Sequence, residues 1–314
     1  MTRSAIAASG LRKAYKDKIV LDGIDLDVAA GTIFSLLGPN GAGKTTTVNV
    51  LSTLMKADGG TVRVAGHDVA TETKAVRAAI GVTGQFAAVD DLLTGQENLQ
   101  LMADLKRLGS GESKRVVTDL LERFDLTESA QKMAATYSGG MRRKLDLAMT
   151  LVGKPRIIFL DEPTTGLDPR SRRTMWDTIR LLVAEGVTIF LTTQYLEEAD
   201  RLADRIAVLD QGKLVAQGTP AELKRQIPGS HVRLQFASDF ELDGALRVLT
   251  GATRGEEDLT LRVPSDGRAK SVRALLDRLD AHSIEVEEFS VHTPDLDDVF
   301  LSLTGRTSTE VTAR

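Results

Sequence analysis

The sequence predicts an α/β domain with a mixed-sheet core, followed by a smaller α+β domain. Up to about residue 220, short apolar runs alternate with helical patterns. Two of these runs, RIIFL and VTIFL, show no polar alternation, which is typical of parallel strands buried on both faces. After the turn-forming run Pro228-Gly229-Ser230, the pattern changes to alternating strands and amphipathic helices. These observations place a domain boundary near residue 228.

The elements of the first domain follow from its periodicity. IVLDGIDLDV alternates as a half-buried strand does, TVRVAG is another short strand, and TIFSLLG precedes a glycine loop and the helix TTTVNVLSTLM. RIAVLDQGKLVAQG is typical of a hairpin that turns at Gln211-Gly212. We expect this domain to span residues 1–228, with a mainly helical subdomain at about 86–150. One helix of that subdomain, at 112–124, places five apolar residues at helical spacing: Val116, Val117, Leu120, Leu121 and Phe124.

The second domain, residues 229–305, is predicted from strands HVRLQFA, LTLRV and SIEVEEFSV and the helix GRAKSVRALLDRLDA. A last helix is expected to begin with Thr293 as N-cap and Pro294 as first helical residue, and to end at Gly305. Its apolar stripe comprises Leu296, Val299, Phe300 and Leu303. We expect residues 306–314 to be a disordered tail. Two interpretations of this domain stay open: an appendage that stabilises the protein, or a functional element that is either a homodimer contact or a regulator of the protein's activity.

Composition excludes several kinds of site. The 314 residues carry a net charge of −4, so we expect no nucleic-acid partner. The absence of cysteine excludes disulfides and thiolate metal sites, and the four histidines are scattered. No apolar run approaches the roughly 18 residues of a membrane helix, and MTRSAIAASG is too short and polar for a signal peptide. We therefore expect a cytoplasmic protein that acts at a membrane only through a partner.

The strongest chemical signal is the loop GPNGAGKTT. It fits G-x-x-x-x-G-K-[ST] and lies between a predicted strand and a predicted helix. Backbone N–H groups of such a loop converge on phosphate oxygens, and the helix N-terminus adds partial positive charge. Lys44 can reach the β- and γ-phosphates of a nucleotide, and the Thr45 hydroxyl can hold Mg²⁺. The expected binding residues are Gly38, Pro39, Asn40, Gly41, Ala42, Gly43, Lys44, Thr45 and Thr46.

The second signal is the run RIIFLDEP, which ends in Asp161 and Glu162. Carboxylates at the end of a buried strand are costly unless they are paired or lie near a metal. Asp161 suits the Mg²⁺ shell, and Glu162 suits a base that polarises an attacking water. The alternative, an acidic turn that caps the next segment, loses weight beside a phosphate loop.

The third signal is TYSGGMRRKLDLA. Ser138, Gly139 and Gly140 open a helix, and a serine N-cap with two glycines is a second helix start that suits an anion. A plain helix cap is the alternative. The chain thus contains two helix starts that suit a phosphate.

Five motifs in this order resemble the ATP-binding subunit of an ATP-binding-cassette (ABC) transporter over residues 3–225. GPNGAGKTT is similar to the Walker A loop, Gln85 in VTGQF to the Q-loop, and SGGM to the signature. LDEP is similar to the Walker B end, and GLDP with Asp168 to the D-loop. The resemblance implies a P-loop ABC ATPase domain in which two copies close over two ATP molecules. Ser138, Gly139 and Gly140 would then act in trans.

The resemblance also implies roles for residues outside these loops. Tyr15 matches the aromatic residue that stacks on adenine, with a purely structural tyrosine as the alternative. Gln85 matches the residue that contacts Mg²⁺ and the attacking water, and its loop senses the membrane partner; a solvated turn glutamine is the alternative. Asp168 matches an aspartate at the dimer interface. It can also be the N-cap of the helix that starts at Pro169, and the two roles are compatible.

Two departures from the common family pattern point to one branch. The signature reads YSGGM instead of LSGGQ, and Gln194 in LTTQYLEEAD stands where the family usually has a histidine. Both features, with PDLDDVF near the C-terminus, resemble the daunorubicin/doxorubicin-resistance branch of bacterial drug-export ATPases. The resemblance implies that Gln194 faces the γ-phosphate with its amide, whereas a turn residue without that contact is the alternative.

The resemblance implies a specific set of partners. These are ATP and Mg²⁺ as ligands, a second copy of the chain, and a separate membrane permease at the cytoplasmic face of the membrane. Export of lipid, polysaccharide or peptide is the alternative within the same class. An ABC ATPase that acts on DNA or ribosomes is a further one, disfavoured by the single Walker A loop and the lack of a long heptad run. The cargo contacts the permease, so this chain does not identify it.

Overall fold

The computed structural model describes residues 4–85, 87–226, 230–255, 258–292 and 294–304. Contacts divide the chain into two units, of which the first ends at Pro220 and the second begins at Ala221. The boundary expected between residues 228 and 229 lies outside the described residues and stays a prediction. Among the described helices, none is long and apolar enough to cross a membrane.

The first unit contains an antiparallel sheet of four strands in the order β2-β1-β4-β5. Its strands are β1 (Ser4–Tyr15), β2 (Lys18–Ala29), β4 (Gly59–Val64) and β5 (His67–Asp68). The expected strands IVLDGIDLDV and TVRVAG are confirmed as β2 and β4. The sequence interpretation missed β1, which pairs with both of them but has several register shifts along its length.

The second sheet of this unit has six strands in the order β10-β9-β3-β8-β7-β6. All pairs are parallel except the β9–β10 hairpin, so the expected mixed sheet is confirmed. The hairpin turns at Gln211 and Gly212, as expected, with φ of 46° and 78°. The strands are β3 (Ile33–Leu37), β6 (Ile80–Thr83), β7 (Ile157–Asp161), β8 (Thr188–Thr193), β9 (Arg205–Asp210) and β10 (Lys213–Gly218).

The absence of polar alternation in β7 has a direct structural cause. Ile158 and Leu160 pack into a core that includes the helices, and Ile157 and Phe159 pack into a second core on the opposite face of the strand. Every residue of β3, β7 and β8 is buried. The expectation of parallel strands buried on both faces is therefore confirmed for RIIFL and VTIFL.

Helices pack against the six-stranded sheet. The expected helix at 112–124 is confirmed, with Val117, Leu120, Leu121 and Phe124 buried and Val116 partly buried. The helices are α1 (Lys44–Leu51), α2 (Thr73–Ala79), α3 (Gly95–Leu105), α4 (Ser110–Arg123), α5 (Gly139–Leu151), α6 (Pro169–Ala184), α7 (Leu196–Leu202) and α8 (Pro220–Gln226). Five of these helices, α1, α2, α5, α6 and α7, contact strands of the six-stranded sheet, and α3 and α4 pack with α5. Between residues 87 and 150 the described structure contains α3, α4, most of α5, two short 3-10 helices and an isolated bridge between Thr94 and Met133, and the helical subdomain at about 86–150 stays a prediction.

The second unit is an α+β fold, as expected. Its antiparallel sheet has the strand order β12-β13-β11-β14 and packs around a core that includes Val232, Leu234 and Phe236. Of the expected strand SIEVEEFSV, only its second half is extended, and Ile284 instead fills the core ahead of the strand. The elements are β11 (His231–Gln235), α9 (Asp239–Val248), β12 (Thr253–Arg254), β13 (Thr260–Pro264), α10 (Ala269–Asp280), β14 (Glu288–His292) and α11 (Leu296–Thr304).

The start of the last helix differs from the prediction. Pro294 is not its first residue, because α11 begins at Leu296. The Asp295 carboxylate accepts the Asp298 N–H at 2.9 Å, and the Asp298 carboxylate accepts the Asp295 N–H at 3.1 Å. This reciprocal pair satisfies two N–H groups at the helix start. The other expected features of this segment, the Thr293 cap, the stop at Gly305, the Leu303 side chain and the tail 306–314, lie outside the described residues.

Candidate functional site

The predicted phosphate loop, the two carboxylates and Gln194 all follow strands that are neighbours in the six-stranded sheet. Register pairs Leu37 of β3 with Thr193 of β8, and Thr192 of β8 with Asp161 of β7. The Gly38 N–H donates to the Thr193 carbonyl at 3.2 Å, which ties the loop to the end of β8. The carboxyl ends of parallel strands form the usual ligand-binding edge of an open α/β sheet.

The loop turns into α1 at Gly43. This residue has φ of +114°, and a Cβ atom there would lie 2.7 Å from the Leu21 side chain and 2.9 Å from the Val20 carbonyl. Only glycine fits that backbone and that space. The first N–H groups of α1 have no acceptor within the helix and are available to an anion. The loop thus has the cradle that a triphosphate requires.

Lys44 is buried at the start of α1. Its ammonium donates to the carbonyls of Gly38 at 2.8 Å and Pro39 at 3.1 Å, and it forms an ion pair with Glu162 Oε1 at 3.2 Å. Burial lowers the pKa of Lys44, whereas the charges of Glu162 and Asp161 raise it. A phosphate in the loop would compete with these oxygens for the same ammonium. Lys44 therefore connects phosphate binding to the state of Glu162.

Glu162 stands in an uncommon backbone conformation, with φ of +49°. Such a residue costs on the order of 1–3 kcal/mol and persists only where its surroundings fix it. Here its N–H donates to the Thr192 carbonyl at 3.1 Å, and the Thr165 hydroxyl donates to Oε2 at 3.3 Å. The acidic turn is thus held in place and has its carboxylate beside Lys44.

Asp161 is 3% exposed, and its Oδ1 accepts a hydrogen bond from the Thr192 hydroxyl. A carboxylate and the exposed Thr45 hydroxyl are the oxygen ligands that Mg²⁺ takes beside nucleotide phosphates. In the described parts of the chain, no group of three or more His, Cys, Asp or Glu side chains could hold a metal by itself. The residues present fit a magnesium ion that arrives with a nucleotide.

Gln85 lies just past β6, the strand next to β7, and is exposed. Its loop is tied to the carboxylate turn by Arg143 of α5, which the sequence interpretation did not single out. The buried Arg143 guanidinium donates to three main-chain carbonyls: Gly84 at 2.7 Å, Pro163 at 2.9 Å and Asp161 at 3.2 Å. In the basic run Arg142–Lys144, nothing in the sequence distinguishes this residue from a solvated cation.

Gln194 is half-buried between the end of β8 and the start of α7. The turn is fixed by the Tyr195 N–H, which donates to the Thr193 hydroxyl at 2.9 Å. The position agrees with a residue at the phosphate edge of the sheet. Its contact with the γ-phosphate stays a prediction.

The second helix start has different neighbours. The Ser138 hydroxyl accepts the Met141 N–H at 3.3 Å, which confirms the predicted cap of α5. Gly139 is exposed, and a Cβ at Gly140 would lie 2.7 Å from the Ser171 hydroxyl. Its binding to a phosphate in trans stays a prediction.

Asp168 is the N-cap of α6. Its carboxylate accepts the N–H groups of Arg170 and Ser171, each at 3.0 Å, and the Ser171 hydroxyl at 2.6 Å. These hydrogen bonds, the Ser171 hydroxyl first among them, lower the pKa of Asp168. The cap is confirmed, and the interface role stays a prediction. Because Ser171 also contacts Gly140, the starts of α5 and α6 touch each other.

Tyr15 ends β1 and is 45% exposed. Its hydroxyl lies 3.0 Å from the Met55 sulfur, and the Lys13 ammonium lies 5.9 Å from the centroid of its ring. The second strand of the β1–β2 hairpin contacts the phosphate loop through Leu21. Stacking on adenine stays a prediction.

Family comparisons agree with this architecture. Residues 21–165 match the family model described as "ABC transporter". Residues 218–304 match the model described as "ATP-binding protein DrrA1-3-like, C-terminal domain". The two matches fall on the two structural units.

Three relatives are similar over almost the whole chain. The daunorubicin resistance ATP-binding protein DrrA3 of Streptomyces coeruleorubidus is 48% identical, with 97% of each chain covered. The daunorubicin/doxorubicin resistance ATP-binding protein DrrA of Streptomyces peucetius is 47% identical, with 96% of this chain and 92% of the relative covered. Nod factor export ATP-binding protein I of Paraburkholderia xenovorans is 37% identical, with 98% and 99% covered.

Solved structures match the first unit's fold. An ATP-binding subunit of an ABC transporter aligns with a TM-score of 0.64 and 28% identity, covering 71% of this chain and 92% of that one. The ATP-binding cassette MJ0796, a dimer in a post-hydrolysis state bound to ADP and Pi, aligns with a TM-score of 0.63 and 25% identity. That match covers 68% of this chain and 98% of that one.

Proposed function

Because the chain belongs to the ATP-binding subunits of ABC transporters, whose ATP hydrolysis drives transport, we propose that the site described above holds MgATP and supplies the base. The observation that carries the proposal is the buried ion pair between Lys44 and Glu162 at the edge of the phosphate loop. In this pair, the Lys44 ammonium that would bind the phosphates lies 3.2 Å from the Glu162 carboxylate that would orient the water.

The proposed chemistry starts with the phosphates. They take Lys44 away from the loop carbonyls and from Glu162, which leaves the Glu162 carboxylate free to orient a water in line with the γ-phosphate. Thr45, Asp161 and Gln85 would hold Mg²⁺, which would supply positive charge beside the phosphate oxygens. Gln194 donates an amide hydrogen bond toward the γ-phosphate. Tyr15 stacks on the adenine.

The second helix start completes the site in a dimer. Ser138 and Gly139 are exposed, and a helix N-terminus by itself stabilises a phosphate only weakly. We place them on the γ-phosphate held by the loop of another copy, with Asp168 at the same interface. The dimeric arrangement of the solved ATP-binding cassette supports this proposal.

The transported compound is proposed from the relatives. Two of them are named for resistance to daunorubicin or doxorubicin, at 48% and 47% identity over nearly full length. We place this chain at the cytoplasmic face of the cell membrane, where a separate permease exports a drug of the anthracycline type. The Nod factor relative, at 37% identity, supports export of a different compound as the second candidate.

The chemistry is tested by Glu162→Gln. General-base removal typically costs about 10²–10⁴-fold in rate, and the amide keeps the size of the side chain. We expect hydrolysis to fall by that order while ATP binding persists and the dimer accumulates on size-exclusion chromatography with ATP. Wild-type hydrolysis in this variant would remove Glu162 from the role of base. Asp177→Asn, a change of the same kind on the outer part of α6, is the matched control.

The transport assignment is tested in cells. Affinity capture of the tagged chain from membranes should recover an integral membrane protein, and daunorubicin efflux should require both proteins. Cells that express the permease with the Glu162→Gln chain are the control. Efflux of an unrelated compound but not of daunorubicin would select the second candidate.

A further inference from the structure

Glu198 is a fully buried carboxylate for which the proposed mechanism has no use. It lies in α7, four residues after Gln194, and its exposed fraction is 0%. An ionisable group at this depth is costly unless hydrogen bonds compensate it. A carboxylate in this position therefore needs hydrogen-bond donors, and the identity of those donors indicates its role.

Two donors from different segments meet on one oxygen of this carboxylate. The Thr164 hydroxyl donates to Glu198 Oε1 at 2.7 Å, and the Trp176 indole N–H of α6 donates to the same atom at 3.0 Å. Burial raises the pKa of Glu198, whereas hydrogen bonds from Thr193, Trp176 and Thr164 and the charge of Arg172 lower it. The carboxylate thus joins α7 to α6 and to the turn that follows β7.

That turn is the one that carries Glu162. Thr164 is two residues beyond Glu162 and 0% exposed. The Thr165 N–H donates to the Glu162 carbonyl and the Thr165 hydroxyl donates to its carboxylate, each at 3.3 Å. Because Glu162 has a positive φ, its direction depends on restraints of this kind outside its own backbone. Fixing Thr164 therefore fixes the path from β7 to the Glu162 carboxylate.

We propose that Glu198 is a positioning residue for ATP hydrolysis, which acts through Thr164 to set the direction of the Glu162 carboxylate. Because α7 begins just after Gln194, Glu198 also connects the segment that contains Gln194 to the turn that contains Glu162. Glu198 contacts neither the nucleotide nor the water in this scheme. The inference rests on the proposed role of Glu162 as base.

The two donors to Glu198 Oε1 allow a matched test in the full-length protein. Thr164→Val removes the donor on the Glu162 side, and Trp176→Phe removes the donor on the α6 side. Misplacement of a catalytic group by about 1 Å can cost about 10²-fold in rate. We expect Thr164→Val to lower kcat by at least about tenfold with KM for ATP unchanged, and Trp176→Phe to lower Tm with kcat near wild type.

Substitutions of Glu198 itself compare a variant that keeps the acceptor with one that removes it. Glu198→Gln keeps an oxygen acceptor for Thr164 and Trp176, so we expect its kcat to stay close to that of the wild type. Glu198→Leu removes the acceptor and should match Thr164→Val. The double variant Glu198→Leu/Thr164→Val should then be no slower than either single variant, because both remove the same interaction.

Glu162→Gln is measured in the same assay as a reference. If Glu162→Gln hydrolyses ATP at the wild-type rate, the role of Glu162 fails and the positioning role with it. If Glu162→Gln is inactive but Thr164→Val keeps the wild-type kcat, the positioning role alone is overturned. An equal fall of kcat in Thr164→Val and Trp176→Phe would assign Glu198 to general stability and also overturn the proposal. If Glu198→Leu fails to fold, the Thr164→Val and Trp176→Phe pair still decides.

Discussion

The two helix starts that suit a phosphate differ in what surrounds them. At the start of α1, Lys44 and Glu162 are only 5% and 8% exposed, and they face each other across the loop. At the start of α5, Ser138 and Gly139 are exposed, and the Ser138 hydroxyl caps its own helix. The first start has cation, carboxylate and N–H groups within one subunit. The second exposes a serine hydroxyl and a glycine, and we propose that it meets a phosphate held by another subunit.

The largest effect is expected when the first helix start loses its cation. Lys44→Ala removes the group that neutralises the phosphates and leaves Glu162 buried without its partner. We expect ATP affinity and hydrolysis each to fall by about 10²–10³-fold, the scale of one lost charge contact at a preorganised site. Titration with a fluorescent ATP analogue and a phosphate-release assay measure the two. ATP binding of wild-type strength would show that the loop does not depend on Lys44.

A change at the second helix start should act on hydrolysis and spare ATP binding by the monomer. Gly139→Asp puts a negative charge where the γ-phosphate of another subunit is expected, and we predict a fall in hydrolysis of about 10²-fold. The nucleotide affinity of the isolated subunit should not change.

Mixing the two variants separates action in trans from action in cis. In a Lys44→Ala/Gly139→Asp heterodimer, one composite site contains the intact loop and the intact signature, provided the signature acts in trans. Random C2 pairing should then restore roughly a quarter of wild-type activity. Mixtures as inactive as the separate variants would place both helix starts in the same subunit's site. Gly139→Ala, which adds no charge, is the control.

A smaller effect is expected at Gln194. Gln194→Ala should lower kcat about tenfold through loss of one hydrogen bond to a charged group, with little change in ATP affinity. Because an amide does not titrate, the wild-type rate should show no pH step from this position, whereas Gln194→His should introduce one near pH 6.5. Equal rates in wild type and Gln194→Ala would make Gln194 an ordinary turn residue.

The smallest effect is expected at Asp168, where two roles coexist. Asp168→Asn keeps an oxygen that caps α6, so Tm should stay close to wild type, whereas Asp168→Ala should lower it. If the charge also acts at the dimer interface, Asp168→Asn will slow hydrolysis at unchanged Tm. Thermal unfolding and ATPase assays on the same preparations distinguish the cap from the interface role.

The order of the motifs, and most of the elements that carry them, can be predicted from the amino-acid pattern alone. The glycine pattern around Lys44 predicts a phosphate loop because only glycine accepts the backbone found at Gly43, and an unbroken apolar run predicts β7 because both its faces are buried. Ser138 and Asp168 were predicted as caps for a similar reason. A hydroxyl or carboxylate ahead of a helix has a local task that does not depend on distant residues.

Only the tertiary structure revealed which polar residues serve the acidic turn. Arg143 and Glu198 stand among charged neighbours in sequence. Arg143 is buried where α5 meets the end of β7, and Glu198 is buried where α7 meets α6 and the turn after β7. β1 is not predicted because its irregular register hides the alternation of apolar and polar residues. The start of α11 is misplaced because Asp295 and Asp298 form a cap that apolar periodicity does not predict. Local patterns encode the loops that bind, whereas the contacts that tie the acidic turn to β8 and α7 join residues 30 and 34 positions apart along the chain.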